Sequence, residues 1–367
     1  MQLSKGKISI RQALIFVFIS ITSPLLRILP SYSSISKEAS WIVPIVSLIF
    51  LSVYIFILDE ITKNHKDKNL SEIFEIIFGK FIGKLVTVIF LMWAIFLLAL
   101  YLRYFAERYL STIMRDAYIE FLLITILFVA YYIAKNNIEY LARMFEIFFV
   151  VITVLIVGTA LITFTQIKQE NLLPITTYDI LPVVKASGYY VGILSFMIWP
   201  FFFSTQISCK DKFKSNAFKY IFFTAIVSVL VIVSTLGSLG VEITQNFQIP
   251  FFILSKSISI LDSIERIEAI YIAIWTIADV AIVVLFSKII INILKNLFKL
   301  KSEKSTLLPI LLIEYTLSLF LARNSFELFD FSDIVGTVNV IVCVAIPVVA
   351  LIIQKLRLLV TKLIRLQ

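Results

Sequence analysis

The sequence has 367 residues, of which 60% are hydrophobic and 16% charged, and its mean hydropathy is +0.99. A soluble domain is roughly 45–50% apolar and about 25% charged, so the chain lacks the polar material to cover a water-facing surface and reads as a membrane protein. The net charge of +9 is dispersed over alternate connections, which argues against a nucleic-acid-binding protein.

A membrane-spanning helix needs roughly 20 mostly apolar residues. In chain order, ten stretches meet this or come near it: 12–26, 39–58, 85–102, 121–134, 147–167, 186–209, 220–241, 269–287, 305–322 and 334–354. They predict an all-α polytopic membrane protein, because unpaired backbone is not tolerated in hydrocarbon. No short segments of alternating polarity suggest a barrel. Of the 33 Lys and Arg residues, 23 fall in the N-terminus and alternate connections and 9 in the others, Arg27 lying at a segment end. That bias predicts both termini on the cytoplasmic side. No cleavable signal is expected, since Arg27, Leu29 and Pro30 follow the first apolar run. The two cysteines, Cys209 and Cys343, suggest no disulfide framework.

A single membrane domain is expected over 1–367. Its first span is interrupted at Thr22-Ser23-Pro24 and its sixth at Trp199-Pro200. Proline removes a backbone donor, and paired interruptions in corresponding helices point to a transporter site between two inverted repeats. The repeats would cover about 8–167 and 184–356. Two connections stand out. Over 70–85, Leu70, Ile73, Phe74, Ile77, Phe78 and Phe81 recur at helical spacing. This predicts an amphipathic cytoplasmic helix lying on the membrane or against the bundle. Residues 241–267 are apolar but too short to span, and predict an extracellular capping segment broken at Pro250.

Several stretches carry a family resemblance: KISIRQALIFVFIS (7–20), LSEIFEIIFGKFIGK (70–84), Asn171-Leu172-Leu173-Pro174, and Glu265-Arg266-Ile267-Glu268-Ala269 followed by Trp275. In length, spacing and order the chain resembles the spore germination permeases. These are the B-type subunits of germinant receptors, in the amino acid–polyamine–organocation transporter superfamily. The resemblance implies a leucine-transporter-like fold of five plus five helices. It implies a small nutrient ligand, typically an amino acid, sensed in the spore inner membrane, and A-type and C-type partner subunits. The chain departs from the pattern in having Ser23-Pro24-Leu25 in place of a glycine-rich break. It also has Trp199-Pro200-Phe201 where an acid often stands.

No catalytic or metal-ligating constellation is visible, so neither an enzyme nor a cofactor is expected. His65, the one histidine, sits in a Lys-rich loop and reads as solvated. Ionisable groups inside a membrane are costly and so are candidates for function. Asp279 is a candidate cation or proton site, or a structural partner of Arg27. Arg27 is itself a candidate for a ligand carboxylate, or a snorkelling side chain. Glu314 reads as structural and Glu146 as interfacial. The expected ligand-binding set is Ser23, Pro24, Leu25, Arg27, Tyr101, Phe196, Trp199, Pro200, Phe201 and Trp275. The preferred reading is a nutrient-sensing receptor subunit. The alternatives are a cation-coupled amino acid permease and a scaffold without a ligand.

Overall fold

A computed structural model describes residues 6–256, 267–300 and 303–365. The chain begins with strand β1 (Ile8–Ser9) and helix α1 (Ile10–Arg27). Ser9 caps α1: its hydroxyl accepts from the Gln12 N–H, and the Gln12 side chain accepts from the Ser9 N–H, satisfying two of the donors that a helix start leaves open. Then follow α2 (Leu29–Ser36), α3 (Val43–Thr62), α4 (Leu70–Phe78), α5 (Lys80–Thr112), α6 (Ile119–Ala134), α7 (Ile138–Ile162) and α8 (Ile180–Leu194). After a 3₁₀ stretch and strand β2 (Ile207–Ser208) come α9 (Phe213–Asn246), α10 (Pro250–Lys256), α11 (Ile267–Phe298), α12 (Glu303–Phe320), α13 (Ser325–Asn339) and α14 (Ile346–Arg365). Strands β1 and β2 pair in parallel, tying the start of α1 to the end of the sixth span.

Among the described residues, eight helical stretches are long and apolar enough to cross a membrane. The shorter apolar helices Ile119–Ala134 and Ser305–Phe320 occupy the remaining two of the ten expected positions. The arrangement is an all-α bundle with its apolar side chains outermost. On α3 the exposed residues Ile45, Ile49, Val53 and Phe56 form a stripe at helical spacing, and Phe121, Ile124, Phe128 and Tyr132 do so on α6. Such stripes suit a hydrocarbon solvent and would be a liability in water. Inside, 83% of the most apolar stretch of α1 and of α11 is buried, against 28% for the stretch containing α7. Helices α1 and α11 therefore form the axis, with α5 packed along α11.

Several elements differ from the sequence expectation. The predicted amphipathic helix over 70–85 ends at Phe78. Gly79, at φ +89°, turns the chain, and Lys80 onward belongs to α5. Phe81, assigned to the apolar stripe, instead lies 83% exposed on α5. Helix α4 packs against the bundle, burying Leu70, Ile73, Phe74 and Ile77. The close approach needs a glycine: a Cβ on Gly83 would stand 2.5 Å from the Glu75 Cα. The third span continues ten residues past its predicted end at residue 102, to Thr112, and draws Arg103 and Arg108 into the interior. Of the expected capping segment, α10 is present and starts at Pro250, while 257–266 lie outside the described residues. The lead-in motif at Glu265-Arg266 falls there too.

The two predicted breaks behave differently. The first span is not broken at Ser23-Pro24-Leu25: α1 stays helical through Arg27, and the chain bends at Ile28, whose N–H still reaches the Pro24 carbonyl at 3.0 Å. Ser20 and Thr22 direct their hydroxyls to the carbonyls of Phe16 and Phe18, a local pairing that keeps polar side chains satisfied inside the helix. The sixth span does change form. From Ser195 to Gln206 it is 3₁₀, with Phe203 off helical geometry at φ −117° and ψ 28°. Twelve residues of 3₁₀ are unusual, because its hydrogen bonds are poorer than those of an α-helix. A third irregularity has no counterpart in the sequence reading: Val340–Ala345 form a π-helical turn between α13 and α14.

Candidate functional site

The centre of the bundle is filled by rings from three elements. Tyr101 comes from α5, Phe196 and Trp199 from the 3₁₀ stretch, and Phe286 from α11. Phe286 meets Trp199 at 5.3 Å, Phe196 at 5.6 Å and Tyr101 at 6.2 Å between ring centroids. All four rings are buried. Their edge-to-face and tilted contacts are the favoured geometries for aromatic pairs. Two polar atoms in this box, the Tyr101 hydroxyl and the Trp199 Nε1, are buried without a hydrogen-bond partner among the described residues. Buried polar groups are nearly always paired, so two orphans in one cluster mark a place suited to a polar guest. Below the box, Phe90 joins Trp199 at 5.5 Å and Phe74 of α4 at 5.4 Å.

Beside the box lies a buried charge cluster. Arg27 leaves the end of α1 and sets its guanidinium 3.5 Å from the centre of the Tyr104 ring, a cation–π contact strengthened by exclusion of water. Pro24, Arg27, Tyr101, Tyr104, Ile193 and Val335 share a narrow cavity of about 20 Å³, room for about one water molecule. One helical turn beyond Tyr104 on α5, Arg108 holds Asp279 of α11. Its Nη2 stands 2.9 Å from Oδ2 and 3.1 Å from Oδ1. Both side chains are 4% exposed. The Nε and Nη1 of Arg108 have no hydrogen-bond partner among the described residues. Trp275 flanks the pair, its ring 5.3 Å from the Arg108 guanidinium and 4.8 Å from Phe252. Tyr109 and Thr276 bond hydroxyl to hydroxyl between the same two helices. Among the described residues, two guanidinium groups against one carboxylate leave the cluster net positive, so it can receive an anionic group with unused donors.

The expected site residues therefore separate. Pro24, Arg27, Tyr101, Phe196 and Trp199 come together, and Trp275 and Asp279 lie in the adjoining charge cluster. Asp279 pairs with Arg108 rather than with Arg27, because α5 continues far enough to bring Arg108 alongside. Ser23 and Pro200 are buried in their helical segments, while Leu25 lines a separate small cavity with Tyr32 and Val227. Phe201 points away from the box and meets Phe213 at 5.0 Å. It lines a cavity at the lysine-rich end with His65, Lys66 and Asp211. His65 is not simply solvated: partial burial, with Lys68 nearby, pulls its pKa below the usual histidine range, so it stays neutral near pH 7. The sequence reading missed Tyr104, Arg108, Phe286 and Tyr54. The charges at 103, 107 and 108 hid Arg108 by marking a span end, and Phe286 was one of 33 phenylalanines.

The family model for spore germination proteins, the spore permeases, matches residues 7–327. The chain belongs to this family. The chain is similar to three proteins of Bacillus subtilis (strain 168). It is 22% identical to the putative spore germination protein YfkT, over 87% of this chain and 88% of that protein. It is 23% identical to the spore germination protein YndE (86% and 87%) and 23% identical to the spore germination protein KB (89% and 88%). Among solved structures, MhsT in complex with L-phenylalanine shares its fold with a TM-score of 0.68 and 14% identity, over 95% of this chain and 89% of that one. The chain is thus an integral membrane protein with a leucine-transporter-like fold.

Tyr54 of α3 connects two irregular places in the chain. Its hydroxyl donates to the Cys343 carbonyl in the π turn at 2.7 Å and lies 3.2 Å from the Ser195 carbonyl, where the sixth span changes from α to 3₁₀. Tyr54→Phe leaves both carbonyls without that donor. A loss of about 1–3 kcal/mol is expected, read as a lower midpoint of thermal unfolding in detergent.

Proposed function

We propose that this spore permease is the nutrient-sensing subunit of a germinant receptor. It binds a small nutrient, an amino acid, between the end of α1 and the 3₁₀ stretch of the sixth span, and passes the signal to A-type and C-type subunits. It works in the spore inner membrane with its lysine-rich end, and so both termini, on the cytoplasmic side. The observation that carries the reading is the central box. Aromatic walls from α5, α11 and the sixth span enclose two unpaired polar atoms, beside a buried cluster with surplus positive charge. An apolar pocket with a few convergent polar groups is what an amino acid requires. Support also comes from MhsT, which shares the fold and holds L-phenylalanine. On this reading α1–α7 and α8–α14 form the two repeats, and α10 with the residues after it caps the outer mouth. A ligand shifts a receptor only through different affinities for its two states. The junctions of α to 3₁₀ and α to π helix bonded by Tyr54 are the elements placed to differ between those states.

The decisive experiment is to delete the gene, prepare spores and follow the loss of optical density with a panel of amino acids and nucleosides. Loss of response to one nutrient, restored by the intact gene, supports the receptor. An unchanged response to every nutrient, together with labelled uptake into liposomes, would favour a cation-coupled permease. Tyr101→Phe refines the test. Its hydroxyl has no partner among the described residues, so removing it should leave thermal stability unchanged. If it serves the ligand, the nutrient concentration for half-maximal response rises on the order of tenfold.

A further inference from the structure

A groove of about 320 Å³ lies far from the central box, between α1, α7 and α9 at the lysine-rich end. Its walls are built in register. Arg11, Leu14, Ile15 and Phe18 follow one another on α1 at spacings of three, four and seven, and Asn216, Lys219, Tyr220 and Phe223 do the same on α9. Such spacing places each set on one helix face. Phe149 of α7 closes the inner end, where the rings of Phe18, Phe149 and Phe223 stand 5.2–5.4 Å apart in a triangle. The outer end carries Arg11 and Lys219, both exposed and neither ion-paired among the described residues, and Asn216, whose side-chain amide donates to the Lys212 carbonyl at 2.8 Å. The nearest acid along α7, Glu146, is engaged by the Gln12 amide at 3.0 Å.

The groove is thus polar and doubly cationic at one end and aromatic at the other, and it opens on the lipid side of the bundle. We propose that it is a binding site for an anionic phospholipid. The phosphate sits between Arg11 and Lys219, and an acyl chain runs inward over Leu14, Ile15 and Phe18 to the ring triangle. A zwitterionic lipid fits the apolar part equally well but carries its own ammonium group against the two cations. Basic pockets between spanning helices at the membrane surface favour anionic headgroups for this reason. The bound lipid bridges α1 and α9, two helices some 200 residues apart in the chain, and fastens the base of α1.

The test is native mass spectrometry of the intact chain released from nanodiscs of equal anionic and zwitterionic lipid. The unaltered protein is expected to retain anionic lipid well above its share in the disc. The double variant Arg11→Gln, Lys219→Gln should lower that enrichment on the order of twenty-five-fold, at about fivefold per charge. The control Lys80→Gln, Lys84→Gln, which removes two exposed cations from α5 at the same end, should leave it unchanged. No enrichment in the unaltered chain overturns the site whether or not the variants fold. Equal losses in both double variants also overturn it, by assigning the enrichment to general surface charge.

Discussion

Asp279→Asn is expected to destabilise the protein by about 3–5 kcal/mol, the usual cost of removing one partner from a buried ion pair. The cost falls on Arg108, which would keep its charge inside the bundle with its Nε and Nη1 already without partners among the described residues. A second guanidinium, Arg27, lies in the same cluster, so the carboxylate also offsets repulsion between two cations. The measurement is thermal unfolding of the purified chain in detergent, beside the yield of folded protein. The partner experiment is Arg108→Met with Asp279→Leu, which removes both charges. It should recover most of the stability, since a buried pair replaced by apolar side chains is often neutral or better. If Asp279→Asn unfolds no earlier than the parent while the germination response falls, Asp279 is a cation or proton site and the ion pair is secondary.

Phe286→Ala is expected to cost about 3–5 kcal/mol as well, for a different reason. The ring touches Tyr101, Phe196 and Trp199, and so joins α11 to both α5 and the sixth span. Its loss leaves a cavity that close-packed neighbours cannot fill, and cavity formation adds to the lost burial. Function supplies the sharper readout. If the box holds the nutrient's side chain, the variant should answer to a bulkier amino acid than the parent does, measured by optical density of spores against a size series. Phe286→Leu, which removes less volume, keeps the experiment open if the alanine variant does not accumulate. A drop in stability with an unchanged ranking of nutrients would assign Phe286 to packing alone and move the ligand elsewhere.

The class of fold was legible because it depends on composition and on runs of apolar residues. Ten stretches, eight of them free of charge and two carrying a single acid (Asp279 and Glu314), must become helices in hydrocarbon, where backbone groups have no water to bond. The proline at position 200 also announced a real departure from α-helix, since a missing donor is a local property. The other proline misled. At Pro24 the helix continues, because Ser20 and Thr22 pair locally and α11 packs along its length, and tertiary contact there outweighs the local defect. The boundary at residue 102 misled for a related reason. A charge run reads as a span end, yet Arg108 enters the interior because Asp279, 171 residues later, is there to receive it.

The sequence by itself determined that this is a polytopic helical membrane protein, where its spans fall, and that Arg27, Tyr101, Phe196 and Trp199 are candidates for a common site. These follow from short-range rules of hydrophobicity, helix spacing and proline chemistry. Only the tertiary structure decided that Arg108 and not Arg27 binds Asp279, that Phe286 closes the aromatic box, that Phe201 faces the opposite end, and that Tyr54 spans the two irregular turns. Each of those depends on which helix faces are brought together across more than 80 residues of chain. Spacing along one helix carries no information about the face that another presents to it.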